Sequence, residues 1–246
     1  MHRFFAPALD AGDEMVALPR DEGEHLRRVL RLGVGDTVTV FDGRGHEWLA
    51  RVASVVRRDV RVQLVARAEA AAEPQVPVTV AQAVLKGDKM DDVIRDAAML
   101  GAAAIQPVVT TRAETTIAAL MRGARVDRWR RVALASVKQA RRAVLPEIRV
   151  PLTLEHVLEE PASALRLMLV EPSALAEVEP LSAIQQLPVP ADVTLFIGPE
   201  GGWTEHEWRS AQAHGVRLVT LGRRTLRADA VPVAALSVLQ FLWGDL

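Results

Sequence analysis

Apolar and polar positions divide the chain into two regions of different rhythm. Between Thr37 and Val65 the apolar residues alternate with polar ones in short runs, Thr37–Phe41, Glu47–Val52 and Val60–Val65, with a turn at Asp42-Gly43-Arg44-Gly45. A period of two bounded by turn residues predicts the strands of a small antiparallel barrel or curled sheet. Ahead of them Glu24–Arg31 is compatible with a short helix ending at Gly33, and Gly33–Asp36 turns into the first strand. From Val78 onward, strand-like apolar runs at 78–83, 104–109, 165–170, 193–197 and 216–220 alternate with helical patterns at about 89–100, 126–142, 205–214 and 232–243. That alternation predicts an α/β sheet with helices on both faces. An Ala/Glu stretch followed by Pro74 and Pro77 marks the boundary, giving domains of 1–73 and 74–246. The stretch Pro172–Ala191 is proline-punctuated, with a short helical piece near 180–186.

Composition removes several classes of protein. No cysteine is present among the 246 residues, which excludes disulfides, thiolate nucleophiles and cysteine-ligated metal or iron–sulfur sites. No run approaches the roughly 18 apolar residues of a membrane span, and the start at Met1-His2-Arg3 lacks a secretory apolar segment, so the expectation is a cytoplasmic protein. Histidines at 2, 25, 46, 156, 206 and 214 have no zinc-ligand spacing, so no metal is expected.

The 30 basic and 31 acidic residues nearly cancel, but they are unevenly spread. Residues 121–149 hold nine basic side chains against Asp127 and Glu147, which favours a polyanionic partner. All but three of the basic residues are arginine, a planar bidentate donor to phosphate. That bias fits a compositional habit equally well, so the clustering carries more weight.

Two loops carry the candidate chemistry. Ile197-Gly198-Pro199-Glu200-Gly201-Gly202-Trp203-Thr204 follows an apolar strand and leads into a helix. Thr204 and Glu207 have the spacing of a capping box, flanked by Trp203 and Trp208 as a hydrophobic staple. The glycines let backbone amides approach a ligand at the carboxyl end of a strand, or simply make a tight turn. Neither a dinucleotide fingerprint nor a Walker lysine is present, which makes NAD and ATP weaker guesses than another nucleoside. The second loop, Leu221–Ala230, offers Arg224 and Arg227 for phosphate or developing negative charge. Its Asp229 can satisfy helix amides, accept a proton or be an ordinary helix-start carboxylate.

With these loops the chain resembles the bacterial ribosomal RNA small-subunit methyltransferase E family. The likeness runs through His2-Arg3-Phe4-Phe5, His25–Arg31, Lys86–Asp91, Arg112, Gln139, Arg142, Pro146-Glu147-Ile148, Ile197–Gly202, Glu207 and Leu221–Arg227. The resemblance implies a PUA-like RNA-binding β-barrel domain followed by a SPOUT-type methyltransferase domain with a C-terminal trefoil knot, acting as a homodimer. It also implies S-adenosylmethionine as cofactor, held by Val170, Glu171, Pro172, by Ile197, Gly198, Pro199, Glu200, Gly201, Gly202, and by Leu221, Gly222, Arg224, Thr225 and Leu226. Three departures stand out: Lys138 where relatives carry glutamate, Met99 in place of an acidic residue, and Ala228-Asp229-Ala230 in place of Thr-Glu-Thr.

The implied reaction is methylation of uridine N3 in 16S ribosomal RNA, with naked RNA or the 30S subunit as partner and neither DNA nor membrane involved. Uridine N3 must lose a proton before it attacks, so alignment and charge stabilisation dominate. Arg227 first and Arg142 second are expected at the uracil carbonyl oxygens, with the base unassigned. Arg3, Arg27, Arg28, Arg31, Lys86, Lys89 and Arg112 are expected to contact RNA, and Asp88 to cap the following helix. The alternatives are a SPOUT methyltransferase acting on another rRNA or tRNA base, or a non-catalytic RNA-binding assembly protein.

Overall fold

The computed structural model describes all residues except Ala11, Arg57, Arg58, 173–177 and Leu246. Part of the proline-punctuated stretch therefore lies outside the described residues. The chain forms two compact units: Met1–Glu73 with Val137–Leu145, and Pro74–Ser136 with Pro146–Leu246.

The first unit is built on β1 (Arg3–Phe5), β2 (Met15–Ala17), β3 (Thr37–Phe41), β4 (Glu47–Val56) and β5 (Asp59–Ala68), in the order β1-β3-β4-β5-β2. All neighbours are antiparallel except β1, which runs parallel to β3. Alternate residues Val38, Val40, Ala50, Val52, Val60 and Val62 point into one core with Phe4 and Leu26, as the period of two requires. Register shifts after Leu49 and Val52 add the local twist that lets a long strand curl. The predicted helix at 24–31 begins earlier, as α1 (Arg20–Glu24), and runs on as a π-helical turn over His25–Val29.

The segment 137–145 was expected in the second domain, but its contacts are with the first unit. Gly43, at φ +79°, bridges to Val144, and the amides of Leu145 and Gly45 donate to the carbonyls of Gly43 and Ala143 at 2.9 and 3.1 Å. These pairings join positions about a hundred residues apart, which no local pattern signals.

The second unit comprises β6 (Val78–Ala83), α2 (Lys89–Met99), β7 (Ala104–Val109), α3 (Ile117–Arg122), α4 (Arg125–Gln139), β8 (Glu147–Ile148), β9 (Leu152–Thr153), α5 (Leu154–Glu159), β10 (Leu165–Leu169), β11 (Glu179–Pro180), β12 (Val193–Ile197), α6 (Glu205–Ala213), β13 (Arg217–Thr220) and α7 (Val231–Trp243). The last residues of α4, from Val137, count with the first unit. Every strand pair is parallel, in the order β11-β13-β10-β12-β6-β7-β8 with β9 also on β7. The central strands are almost continuously apolar, and Val80, Ala81, Ile105, Leu167, Met168, Leu195 and Phe196 are fully buried, the signature of a sheet covered on both sides.

Two features position the site. Strand β12 lies between β6 and β10 although it follows β10 in the chain, so the strand order changes direction there. Helix α7 packs on α2 and on a short 3-10 helix over Leu181–Gln186, the helical piece expected in the proline-punctuated stretch. Helix α4 ends at Gln139, earlier than predicted, because Arg141 adopts a left-handed φ of 60°.

Candidate cofactor cleft

The carboxyl ends of β13, β10, β12 and β6 stand side by side, and the loops leaving them enclose a cleft of about 340 Å³ within the second unit. Such a volume suits a small molecule, and the position at a reversal of strand order is where α/β sheets take ligands. Val170, Glu171 and Pro172 line it from β10; Ile197, Gly198, Pro199, Glu200, Gly201 and Gly202 from β12; Leu221, Arg224, Thr225 and Leu226 from β13. Gly222 does not line the cleft, but its φ of +79° turns the chain after β13. Lys89, Arg112 and Arg227 reach the same cleft, together with Trp203, Trp208, Asp229 and Val231.

The glycine loop is fixed at both ends. At its far end the Thr204 hydroxyl accepts the Glu207 amide at 3.3 Å, and Glu207 Oε2 accepts the Thr204 amide at 2.8 Å, completing the capping box. Trp203 and Trp208 both pack on the core of the unit, and Trp203 Nε1 donates to the Leu169 carbonyl at 2.9 Å, tying the loop to the end of β10. A side chain at Gly198 would meet the Trp203 ring at 3.2 Å, while Gly202 needs its positive φ of +68° for the turn closed by its amide on the Pro199 carbonyl. The Arg112 guanidinium donates to the Gly201 carbonyl, and its stem lies 3.2 Å from where a Gly201 Cβ would stand.

Three loops are joined by charge at the cleft. Lys89 Nζ donates to Glu200 Oε1 at 2.9 Å, and the Lys86 amide reaches the same oxygen at 3.3 Å. Burial pushes the Glu200 carboxyl up, but these bonds and its own backbone amide outweigh it and hold its pKa below the usual carboxylate range. Arg227 forms a two-point contact with Asp229 and lowers its pKa, with Lys89 adding a smaller pull across the cleft. Asp229 therefore serves Arg227 rather than capping α7, which has no side-chain cap. Lys86 lies outside the cleft lining and pairs with Glu114 at 2.5 Å, which raises its pKa.

Several expected RNA contacts are placed otherwise. Arg3 is largely buried in the first unit. Its guanidinium grips Glu47 at 2.8 and 2.9 Å and donates to the carbonyls of Val137, Lys138 and Arg142, so it closes the end of α4 instead of presenting a cation. Arg142, expected at the uracil edge, belongs to the first unit and is 4% exposed, held by Glu73 at 2.5 to 3.1 Å. Lys138, one of the departures from the family pattern, reaches Glu22 with both contacts at 2.8 Å. Arg28 and Arg31 are exposed and Arg27 half-buried. Asp88 stands at the start of α2 without capping it, and pairs with Arg128 at 3.3 Å.

Sequence reasoning assigned Glu207 only to the helix cap. Its second carboxylate oxygen accepts the Thr111 amide at 2.8 Å, a contact across 96 residues. Among the described residues no cluster of potential metal ligands is present.

The fold and cleft correspond to a defined class. Residues 72–240 match the family model of an RNA methyltransferase domain, and residues 18–65 that of an RNA methyltransferase PUA domain. The ribosomal RNA small subunit methyltransferase E of Synechocystis sp. is 34% identical over 229 residues, covering 92% of this chain and 73% of that protein. The crystal structure of a ribosomal RNA small subunit methyltransferase E from Neisseria gonorrhoeae bound to S-adenosyl methionine superposes with a TM-score of 0.87 at 30% identity, covering 100% of this chain and 99% of that one. A Legionella pneumophila methyltransferase structure with bound SAM gives a TM-score of 0.86 at 31% identity, covering 97% and 96%. The chain belongs to the ribosomal RNA small subunit methyltransferase E family.

Proposed function

We propose that this protein transfers a methyl group from S-adenosylmethionine to N3 of a uridine in 16S ribosomal RNA, as a cytoplasmic homodimer acting on the RNA or the assembled 30S subunit. The observation that carries this reading is the convergence of the β10, β12 and β13 loops on one cleft faced by Arg227. The donor fits the residues present: a glycine cradle lets backbone approach it, apolar Val170, Ile197 and Leu226 supply walls, and Glu171 and Glu200 set carboxylates beside a cationic ligand. When bound, S-adenosylmethionine supplies an electrophilic methyl group on sulfur. N3 first loses its proton to a base or water, and the carbon–sulfur bond would then break as the N3–methyl bond forms, its electron pair staying on sulfur.

This chain's own part is to align the uracil and stabilise the charge that develops on its carbonyl oxygens. Arg227 suits that role, because Asp229 engages Nε and Nη2 and leaves Nη1 facing outward from the pair on a side chain 74% exposed. Lys89 and Arg112 at the rim, with Arg27, Arg28 and Arg31 on the first unit, are the proposed RNA contacts. We assign 1–73, joined by 137–145, as the RNA-binding domain and the rest of 74–246 as the methyltransferase domain. The insertion of β12 between β6 and β10, with α7 against the 181–186 helix, supports a trefoil knot in the latter.

The test is to incubate purified protein and S-adenosylmethionine with small-subunit particles lacking the modification and to map the product by mass spectrometry. A single N3-methyluridine in 16S RNA is expected. A methyl group on another base or on tRNA would assign a different substrate, and no transfer with no donor binding would leave an RNA-binding assembly protein.

A further inference from the structure

We infer that Glu207 is a positioning residue that sets Arg112 against the glycine loop, a role resting on the cofactor reading above and going beyond the helix cap. A capping box needs one carboxylate oxygen. Here Oε2 takes both the Thr204 amide and the Thr204 hydroxyl, at 2.8 and 2.9 Å, and completes the cap alone. Oε1 accepts the Thr111 amide at 2.8 Å, just past the end of β7. Glu207 as a whole is 1% exposed, so water cannot substitute for these donors.

What this bond holds follows from the neighbouring residues. The turn at Thr110 has little side-chain support of its own: Thr110 Oγ1 is buried and, among the described residues, lacks a hydrogen-bond partner. Two residues on, next to Thr111, Arg112 crosses the glycine loop and donates to the Gly201 carbonyl. Glu207 thus ties together the end of β7, the glycine loop and the start of α6. Arg112 is exposed and long, and a side chain with that much rotamer freedom keeps one geometry only when its backbone is anchored. The Thr111 bond is that anchor, and through Arg112 it orders the loop that lines the cleft.

Glu207→Gln separates the two tasks. The amide oxygen can still serve Thr204 and preserve the cap, but the amide nitrogen then faces the Thr111 N–H, donor against donor. The expected result is at least tenfold faster hydrogen exchange at the Thr111 amide, with S-adenosylmethionine affinity at least tenfold weaker by calorimetry. Arg112→Ala should weaken donor binding similarly while the Thr111 amide stays protected, and the double variant should lose no more than either single one. Losses that multiply in the double variant, or donor affinity unchanged in Glu207→Gln, would overturn the inference. So would a Thr111 amide that exchanges rapidly in the unaltered protein, a measurement that holds even if Glu207→Gln does not fold. Unaltered protein that binds no S-adenosylmethionine but protects Thr111 in a Glu207-dependent way would instead overturn the cofactor reading.

Discussion

Arg227 and Asp229 face each other across one intervening alanine in a two-point contact, Nε to Oδ1 at 3.1 Å and Nη2 to Oδ2 at 3.0 Å. The guanidinium is 74% exposed and the carboxylate 20%, so the acid is the anchored partner and the arginine the presented one. In solvent such a pair contributes little to stability, about 0–1 kcal/mol, and its value lies in orienting the planar group.

Arg227→Ala should therefore lower turnover by about 100-fold or more, the usual loss when a donor to developing negative charge is removed. Donor affinity should change by less than about threefold and Tm hardly at all. Methyl transfer under single-turnover conditions, alongside calorimetry with S-adenosylmethionine, checks this. An unchanged rate removes Arg227 from the reaction.

Arg142→Ala should act on stability first. Its guanidinium is buried against Glu73, which is 29% exposed and can partly rehydrate once abandoned. The loss should be about 1–3 kcal/mol, below that of a fully buried pair. Chemical denaturation measures it, and undiminished stability would show that the arginine is not a strut of the first unit.

Gly202→Ala should be costly in two ways. A Cβ there would lie 3.2 Å from Glu171 Oε1, and a φ of +68° costs a side-chain-bearing residue about 1–2 kcal/mol. A lower Tm together with at least tenfold weaker S-adenosylmethionine binding is expected; unaltered affinity would mean the loop does not approach the donor.

The Lys89–Glu200 tie should respond to acid in a particular direction. Because the folded-state pKa of Glu200 is depressed, the tie's contribution is present above the unfolded value, about 4.3, and is lost as the pH falls through the lower folded value. Comparison of the native protein with Lys89→Gln should thus show a Tm difference constant from about pH 8 to 5 that closes only below about pH 4. Side chains 36% and 24% exposed limit its size to under about 1 kcal/mol. A difference that vanished near neutrality would point to another titrating group.

Much of the cleft could be read along the chain because its parts are local. The capping box spans four residues, Gly202 and Gly222 mark turns that other residues enter with strain, and the apolar runs of β6, β7, β10 and β12 lie where a doubly covered sheet needs them. Most short elements were not read: β2, β8, β9 and β11 have two or three residues each, too few for a period to register, and α3 and α5 are six-residue helices capped by Thr116 and Thr153. The basic run at 121–149 was legible as charge but not as geometry. Within it Arg128, Arg130, Lys138, Arg142 and Arg149 pair with carboxylates, and Arg122, Arg125, Arg131 and Arg141 are exposed.

By itself, then, the order of residues determined the rhythm of strands and helices, the two glycine-bearing turns and their capped helix, since each depends on hydrogen bonds and sterics within a few neighbouring positions. Only tertiary structure decided that β12 enters between β6 and β10, that Arg3 and Arg142 are internal struts, and that Glu207 reaches Thr111. Those outcomes depend on which distant backbone donors and carboxylates are buried together, and an amide removed from water takes whatever acceptor the packed chain brings to it.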